Sequence, residues 1–317
     1  MLMASVTIIP HYMHKRQNLG YVCTGLGCSL AMSVMPIIIH SFRAVTSYRY
    51  TCLYLLPILG LGAFVPFVFK PRLPSTSTNY SMQSFIHPLK RFITIPYVVN
   101  AYLWNSGLVA VIVLTYGYVH KVTESHSTAT LTMTIFGISE AVGAILLAMI
   151  MLKFKLNHYI LHIVCNLLCG IFAIILGAFP FPMVFYTMAG LLGILHSMIV
   201  ANMGCVSKHL YPARDIEYAF AYQEAFGGIG SLIGTFTAGL IQAAYGQNYG
   251  FYYMGAQAIS GGLLLIFASL LKRETWTAFR TQTETDDDAS KEDESTVGNN
   301  NDGLSAEKEN DSAVIES

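Results

Sequence analysis

Eight predominantly apolar stretches recur along the first 271 positions, at residues 19–40, 51–69, 92–118, 129–152, 158–180, 182–206, 219–245 and 250–271. Crossing a hydrocarbon core of roughly 30 Å takes about 20 apolar residues in a helix, so the pattern predicts an all-α integral membrane protein with eight spans. Charged or Pro/Gly-rich joints separate them, among them KPRLPSTST, HKVTES, KFKLNHY, FPFP, SKHLYPARDIE and YGQNYG. Ahead of the first span, MLMASVTIIP is apolar but too short to cross. It has neither the basic start nor the small-residue cleavage site of a secretory signal, and it reads as the last turns of a helix.

Charge sharpens the picture. The chain balances 18 Lys and Arg against 18 Asp and Glu, with 54% hydrophobic and only 11% charged residues. That neutrality averages two different segments. Residues 1–273 carry 15 basic and 5 acidic side chains, whereas residues 274–317 carry 3 basic and 13 acidic ones. The acidic stretch has too little apolar surface to offset the entropy of ordering it, so 273–317 is expected to be a disordered tail. Ser290 and Thr285, each with an acidic residue three positions on, are the candidate modification sites there. A body with so few charges is no nucleic-acid binder.

Lys and Arg stay on the cytoplasmic side of membrane proteins. Alternate joints hold Lys15 and Arg16; Lys70, Arg72, Lys90 and Arg91; Lys153 and Lys155; Lys208 and Arg214; then Lys272, Arg273 and Arg280, whereas the opposite joints hold only Arg43, Arg49 and Lys121. This predicts a cytoplasmic 70–91 loop and a cytoplasmic tail, with plasma membrane as the expected location. Tyr48, Tyr50, Tyr116, Tyr118, Tyr245, Tyr249, Phe251, Tyr252 and Tyr253 are expected to form an interfacial aromatic belt at the outer ends. The sequons at Asn79 and Asn310 are then expected to stay unglycosylated.

Ionisable residues inside spans are costly and mark cavities, partners or substrate paths. Glu140 lies mid-way along the fourth span and is the sharpest candidate, as a proton carrier or a contact for a polar solute. Glu224 lies near the predicted cytoplasmic interface, where pairing with Lys208 or Arg214 accounts for it. His196 with Ser197, and Asn100 with Asn105, are helix-spaced polar groups suited to line a solute or proton path, or to bond between helices. Small residues at three- and four-residue spacing, including Gly230, Gly234 and Gly239, predict close helix packing in the seventh span. Cys165 and Cys169, one turn apart, are read as packing residues on a face without a His or carboxylate. No metal site, cofactor or catalytic constellation is expected, and the protein is not expected to be an enzyme.

The stretch Tyr12-Met13-His14-Lys15-Arg16-Gln17-Asn18-Leu19-Gly20, continuing to Gly27, resembles the monocarboxylate transporter signature Y-F-x-K-R-R-x-L-A at the junction of that family's fourth and fifth helices. Tyr12, Lys15, Arg16, Leu19 and Gly27 match it; Met13, Gln17 and Gly20 depart. Pro36, the Ser47-Tyr48-Arg49-Tyr50 turn, Lys70-Pro71, GTFTAG at 234–239 and YGQNY at 245–249 follow in the family's order. The resemblance spans 1–272 and implies the major facilitator fold, twelve helices in two bundles, of which this chain would hold helices five to twelve. On that reading 1–72 is a remnant of the N-terminal bundle, 73–91 a cytoplasmic linker and 92–272 the C-terminal six-helix bundle.

The resemblance implies alternating-access transport of a small organic solute of monocarboxylate type, with a proton as the coupled ion and a single-span accessory protein as a partner. Where that family has an Asp and, one turn later, an Arg in helix eight, this chain has Glu140 and Ala144; its acidic residue after helix eleven is Ala243 here. A carboxyl remains for proton exchange, but an anionic solute loses its bidentate guanidinium. The alternative is a non-transporting membrane protein whose incomplete bundle pairs with another membrane polypeptide.

Overall fold

The computed structural model describes residues 45–64, 87–154, 157–212 and 215–271, with scattered helical positions between 20 and 42. Tyr12, Lys15, Arg16, Leu19 and the acidic tail lie outside the described residues. The chain divides into Met1–Ile266 and Phe267–Ser317, and the described part of the second unit is the final helical turn to Leu271.

Seven long helices and one short one make up the described elements: α1 (Tyr48–Phe64), the 3-10 turn η1 (His87–Lys90), α2 (Thr94–Thr123), α3 (His126–Lys153), α4 (His158–Ala178), α5 (Pro182–Leu210), α6 (Ile216–Tyr245) and α7 (Gln247–Leu271). No strand occurs among the described residues. The helices α2 to α7 are six candidate membrane spans by length and composition. They correspond to the last six of the expected stretches, and α1 overlaps the second. Helix is the form such segments must take, because it satisfies each backbone N–H and C=O where no water is present.

The helices outrun the hydropathy pattern at their ends. HKVTES, expected as a joint between 118 and 129, is mostly helical, and the turn narrows to Glu124 and Ser125. A helix of 30 residues is about 45 Å long, so α2 passes beyond the hydrocarbon and its last turns carry His120 and Lys121. Glu124 turns the chain with a left-handed backbone at φ 53°, and Ser125 caps α3 by accepting from the Thr128 amide at 3.2 Å. Asn157 caps α4 through the amides of Tyr159 and Ile160, both at 3.1 Å, and Pro182 opens α5 where its missing N–H costs nothing.

Packing is set by small residues. Helix α2 lies along α6, α3 along α5, and α5 also against α4. Gly107 of α2 faces the backbone of Met254 and Ala258 of α7, and Gly170 of α4 faces Gly255 and Ile259 of α7. The core around them holds Trp104, Leu108, Phe136, Leu176, Phe185, Leu192, Ile199, Phe251 and Met254. Large apolar side chains are also exposed along α3 (Ile138, Val142, Ile145, Met149, Leu152) and α6 (Leu232, Phe236, Leu240), faces suited to hydrocarbon or to another helix.

The aromatic belt needs correction at two positions. Tyr118 and Phe251 are fully buried, their rings 4.6 Å apart, and the Tyr118 hydroxyl bonds to the Gly177 carbonyl and Asn248 Oδ1 at 3.2 Å each. They pin α2, α4 and α7 together at the end away from Lys90 and Arg91. Tyr50, Tyr245 and Tyr249 are exposed, as belt residues would be.

Candidate functional site

Glu140 occupies the middle of α3 and His196 the middle of α5, each fourteen residues into its helix. Their side chains meet: His196 Nδ1 is 2.7 Å from Glu140 Oε1, with Glu140 2% exposed and His196 9%. One proton must lie between a carboxylate oxygen and an imidazole nitrogen at that distance. With that proton alone the pair carries −1; with one more it is neutral. Glu140 Oε2 is buried without a hydrogen-bond partner among the described residues, so the pair keeps one open acceptor. Trp104 and Phe136 wall it in, their ring centroids 6.2 and 5.9 Å from that of His196.

Two glycines allow this meeting. A Cβ on Gly193 would stand 3.1 Å from the Glu140 amide nitrogen and from Ser139 Cβ, and one on Gly143 would stand 2.6 Å from the Ile194 carbonyl oxygen. Gly143 is three residues after Glu140 and Gly193 three before His196, so the closest approach of α3 and α5 coincides with the pair. Ala144, where the resembled family has Arg, is fully buried.

Toward the basic end lies a second polar layer. His162 of α4, 1% exposed, places Nε2 3.1 Å from Asn100 Oδ1 of α2. An amide oxygen only accepts, so Nε2 carries the proton and Nδ1 holds a lone pair, buried without a partner. Trp104 stands edge-on to His162 at 6.4 Å and so touches both histidines. Asn166 Nδ2 donates to the His162 carbonyl at 2.8 Å. A turn nearer the basic end, His158 Nδ1 is 2.7 Å from Asn202 Oδ1 of α5.

At the basic end itself, Asp215 is buried and takes His87 Nδ1 at 3.1 Å and Arg91 Nε at 3.6 Å, tying η1 to the α5–α6 joint. Tyr211 donates to Thr94 Oγ1 at 3.1 Å, which donates to the Pro88 carbonyl at 2.6 Å. Burial pushes the Tyr211 hydroxyl up to about 12, against the pull of its bond to Thr94. Tyr97 of α2 donates to Gln223 of α6, and its oxygen is 3.1 Å from Ser207 Oγ of α5.

The sequence profile of the family described as Major Facilitator Superfamily matches residues 110–299, three-fifths of the chain. The chain belongs to the Major Facilitator Superfamily. No curated protein is similar enough to count as a match. Membership makes this a multi-pass membrane protein and, in general terms, a membrane transporter of a small solute, and α2 to α7 are six helices long and apolar enough to cross a membrane.

In this superfamily member, the residues singled out from sequence separate into groups. Glu140 and His196 come together. Ser197 is buried beside them in sequence, whereas Asn100 joins His162 instead. Asn105 donates to the Ala101 carbonyl of its own helix at 2.9 Å and lies against Gly227. Gly230 and Gly234 rest on the backbone of Tyr102 and of Ser106, but no described atom lies within 4 Å of a Cβ on Gly239, and the same holds for Gly27. Glu224 makes no ion pair with Lys208 among the described residues, and Arg214 lies outside them.

Trp104, His162 and Asn166 escaped the sequence reading. Their signal was present: Trp104 is four residues after Asn100, and His162 is three before Cys165. His162 therefore shares the buried face of Cys165 and Cys169, correcting the expectation that no His accompanies them. Among the described residues no three His, Cys, Asp or Glu gather to hold a metal.

Proposed function

We propose that this superfamily member couples movement of a small organic solute, of monocarboxylate type, to movement of a proton, by alternating access, with Glu140 and His196 as the proton-exchanging pair. The observation that carries the reading is the buried 2.7 Å contact between a carboxyl and an imidazole half-way along two spans. Such a pair in hydrocarbon is expensive and calls for a function. Its charge arithmetic favours a monoanion. Empty, the pair holds −1; loaded with a monocarboxylate and one added proton, the site again holds −1, so no charge is newly buried. A guanidinium at Ala144 is not needed on this scheme, because the added proton on the open Glu140 Oε2 makes the pair a neutral donor to the solute carboxylate.

The basic joints are assigned to the cytoplasmic face, with the tail on the same side and plasma membrane as the location, on the asymmetry of Lys and Arg. A single-span accessory protein remains a proposal implied by the resemblance alone. The test is uptake of labelled pyruvate, a neutral aromatic amine and a zwitterionic amino acid into vesicles containing the full chain, with and without an inward proton gradient. The gradient should accelerate pyruvate entry, and Glu140→Gln should abolish that acceleration. Uptake of the neutral or zwitterionic probe alone would overturn the monocarboxylate class, and uptake of none would favour a bundle that pairs with another membrane polypeptide.

A further inference from the structure

We propose that His162 relays protons between the Glu140–His196 pair and the basic end of the bundle, with His158 as the outlet; the proposal rests on the proton-exchange reading of that pair. Three histidines descend from mid-membrane to the basic end. His196 sits at the middle of α5, His162 four residues into α4, and His158 at the first position of α4. Trp104 bridges the upper two, its ring 6.2 Å from His196 and 6.4 Å from His162. His162 and His158 are four residues apart on one helix, hence about 5–6 Å apart at Cβ on a shared face.

The state of each ring suits a relay. His162 donates through Nε2 to Asn100, which holds that proton in place, and offers an unpartnered Nδ1, so Nδ1 is the nitrogen that both takes up and releases the relayed proton. His158 donates through Nδ1 to Asn202. No carbon bond changes and no electron moves; the proton lost by the pair appears at the basic end, and His162 returns to its starting state when Nδ1 gives its proton up, with Nε2–H still on Asn100. Glu140 Oε2, Trp104 Nε1, His162 Nδ1 and Asn100 Nδ2 are all buried without a partner among the described residues. Four such atoms in neighbouring turns would cost roughly 1–3 kcal/mol each if left dry, and buried water with about three hydrogen bonds is the usual remedy. Water is thus the medium that carries protons past Trp104.

The groups set against His162 are Asn100 and Trp104 of α2 and Asn166 of its own helix. Lys208 and His209, at the end of α5, stand near His158. The described neighbours of His162 thus include no fixed charge to hold its proton in place.

Infrared spectroscopy of the full chain in lipid vesicles after a pH jump tests this, following the protonated-carboxyl band that Glu140→Gln removes. His162→Gln, which keeps an amide to meet Asn100, should slow the rise of that band by at least about 10-fold while leaving its final amplitude unchanged. His158→Gln, at the half-buried outlet, should slow it as well, and the delays of the two single variants should add in the double variant, as for steps in series. An unchanged rate in both single variants would overturn the relay and leave the pair's role intact. A carboxyl band that survives Glu140→Gln would overturn the proton-exchange reading itself.

Discussion

Replacing Gly193 by Ala should separate the Glu140–His196 pair without touching either side chain. The new Cβ would sit 3.1 Å from the Glu140 amide nitrogen and Ser139 Cβ, and closer still to the Phe136 carbonyl, all main-chain or near-main-chain atoms of α3. None is the end of a flexible side chain, so the helices themselves have to part. Relief to ordinary contact near 3.5 Å requires a shift of roughly 1 Å, set by the Phe136 carbonyl. Added to the 2.7 Å between His196 Nδ1 and Glu140 Oε1, that takes the pair beyond the roughly 3.2 Å limit of an N–H···O bond. Overpacking costs about 1–3 kcal/mol, and a carboxyl left with both oxygens unpartnered adds a similar amount.

The control is Gly239→Ala on α6, where no described atom lies within 4 Å of the added Cβ. It should be neutral or stabilising by up to about 1 kcal/mol through helix propensity. Thermal unfolding of the detergent-purified chain reads the stability. Trp104 emission reads the local change, with Trp276→Phe removing the second of the two tryptophans. Equal melting and equal emission for Gly193→Ala and Gly239→Ala would refute the claim that glycine contact holds the pair.

Other outcomes follow from the same structure. Tyr118→Phe removes one buried and one part-buried hydrogen bond between α2, α4 and α7 and should lower stability by about 1–2 kcal/mol, measured by thermal unfolding. Asp215→Asn should loosen η1 from the α5–α6 joint by only about 1 kcal/mol, because His87 and Arg91 are each about 40% exposed; faster proteolysis near residue 90 would report it. Because the Tyr211 hydroxyl is raised from 10 to about 12, its unfolded form loses the proton first, so stability should decline between those pH values. Tyr211→Phe should flatten its share of that alkaline decline in a pH series of melting curves.

The last six spans were legible because length and hydropathy alone demand helices there. Their ends were not, since hydropathy stops where the hydrocarbon does while α2 continues past His120 and Lys121 to Thr123. Glu140 stood out as a charge in an apolar run, and His196 as a polar residue, yet nothing in one sequence says that α3 and α5 lie side by side. Their contact depends on Gly143 and Gly193, neither of which was singled out. Glycine was read most strongly in α6, where Gly230 and Gly234 do lie on α2 but Gly228 and Gly239 touch no described residue; periodic spacing cannot say which side of a helix has a neighbour. His162 and Trp104 were passed over because each, read along its own helix, resembles an ordinary core residue. Only the approach of α2 to α4 gives them a shared environment.

The central claim is that Glu140 and His196 move a proton with the solute. Simultaneous recording of labelled pyruvate entry and internal pH in vesicles holding the full chain tests it most directly. About one proton should enter per pyruvate with the native pair, and Glu140→Gln should abolish net coupled entry while pyruvate-for-pyruvate exchange, which needs no proton release, continues. Proton entry that stays matched to pyruvate in Glu140→Gln would contradict the account.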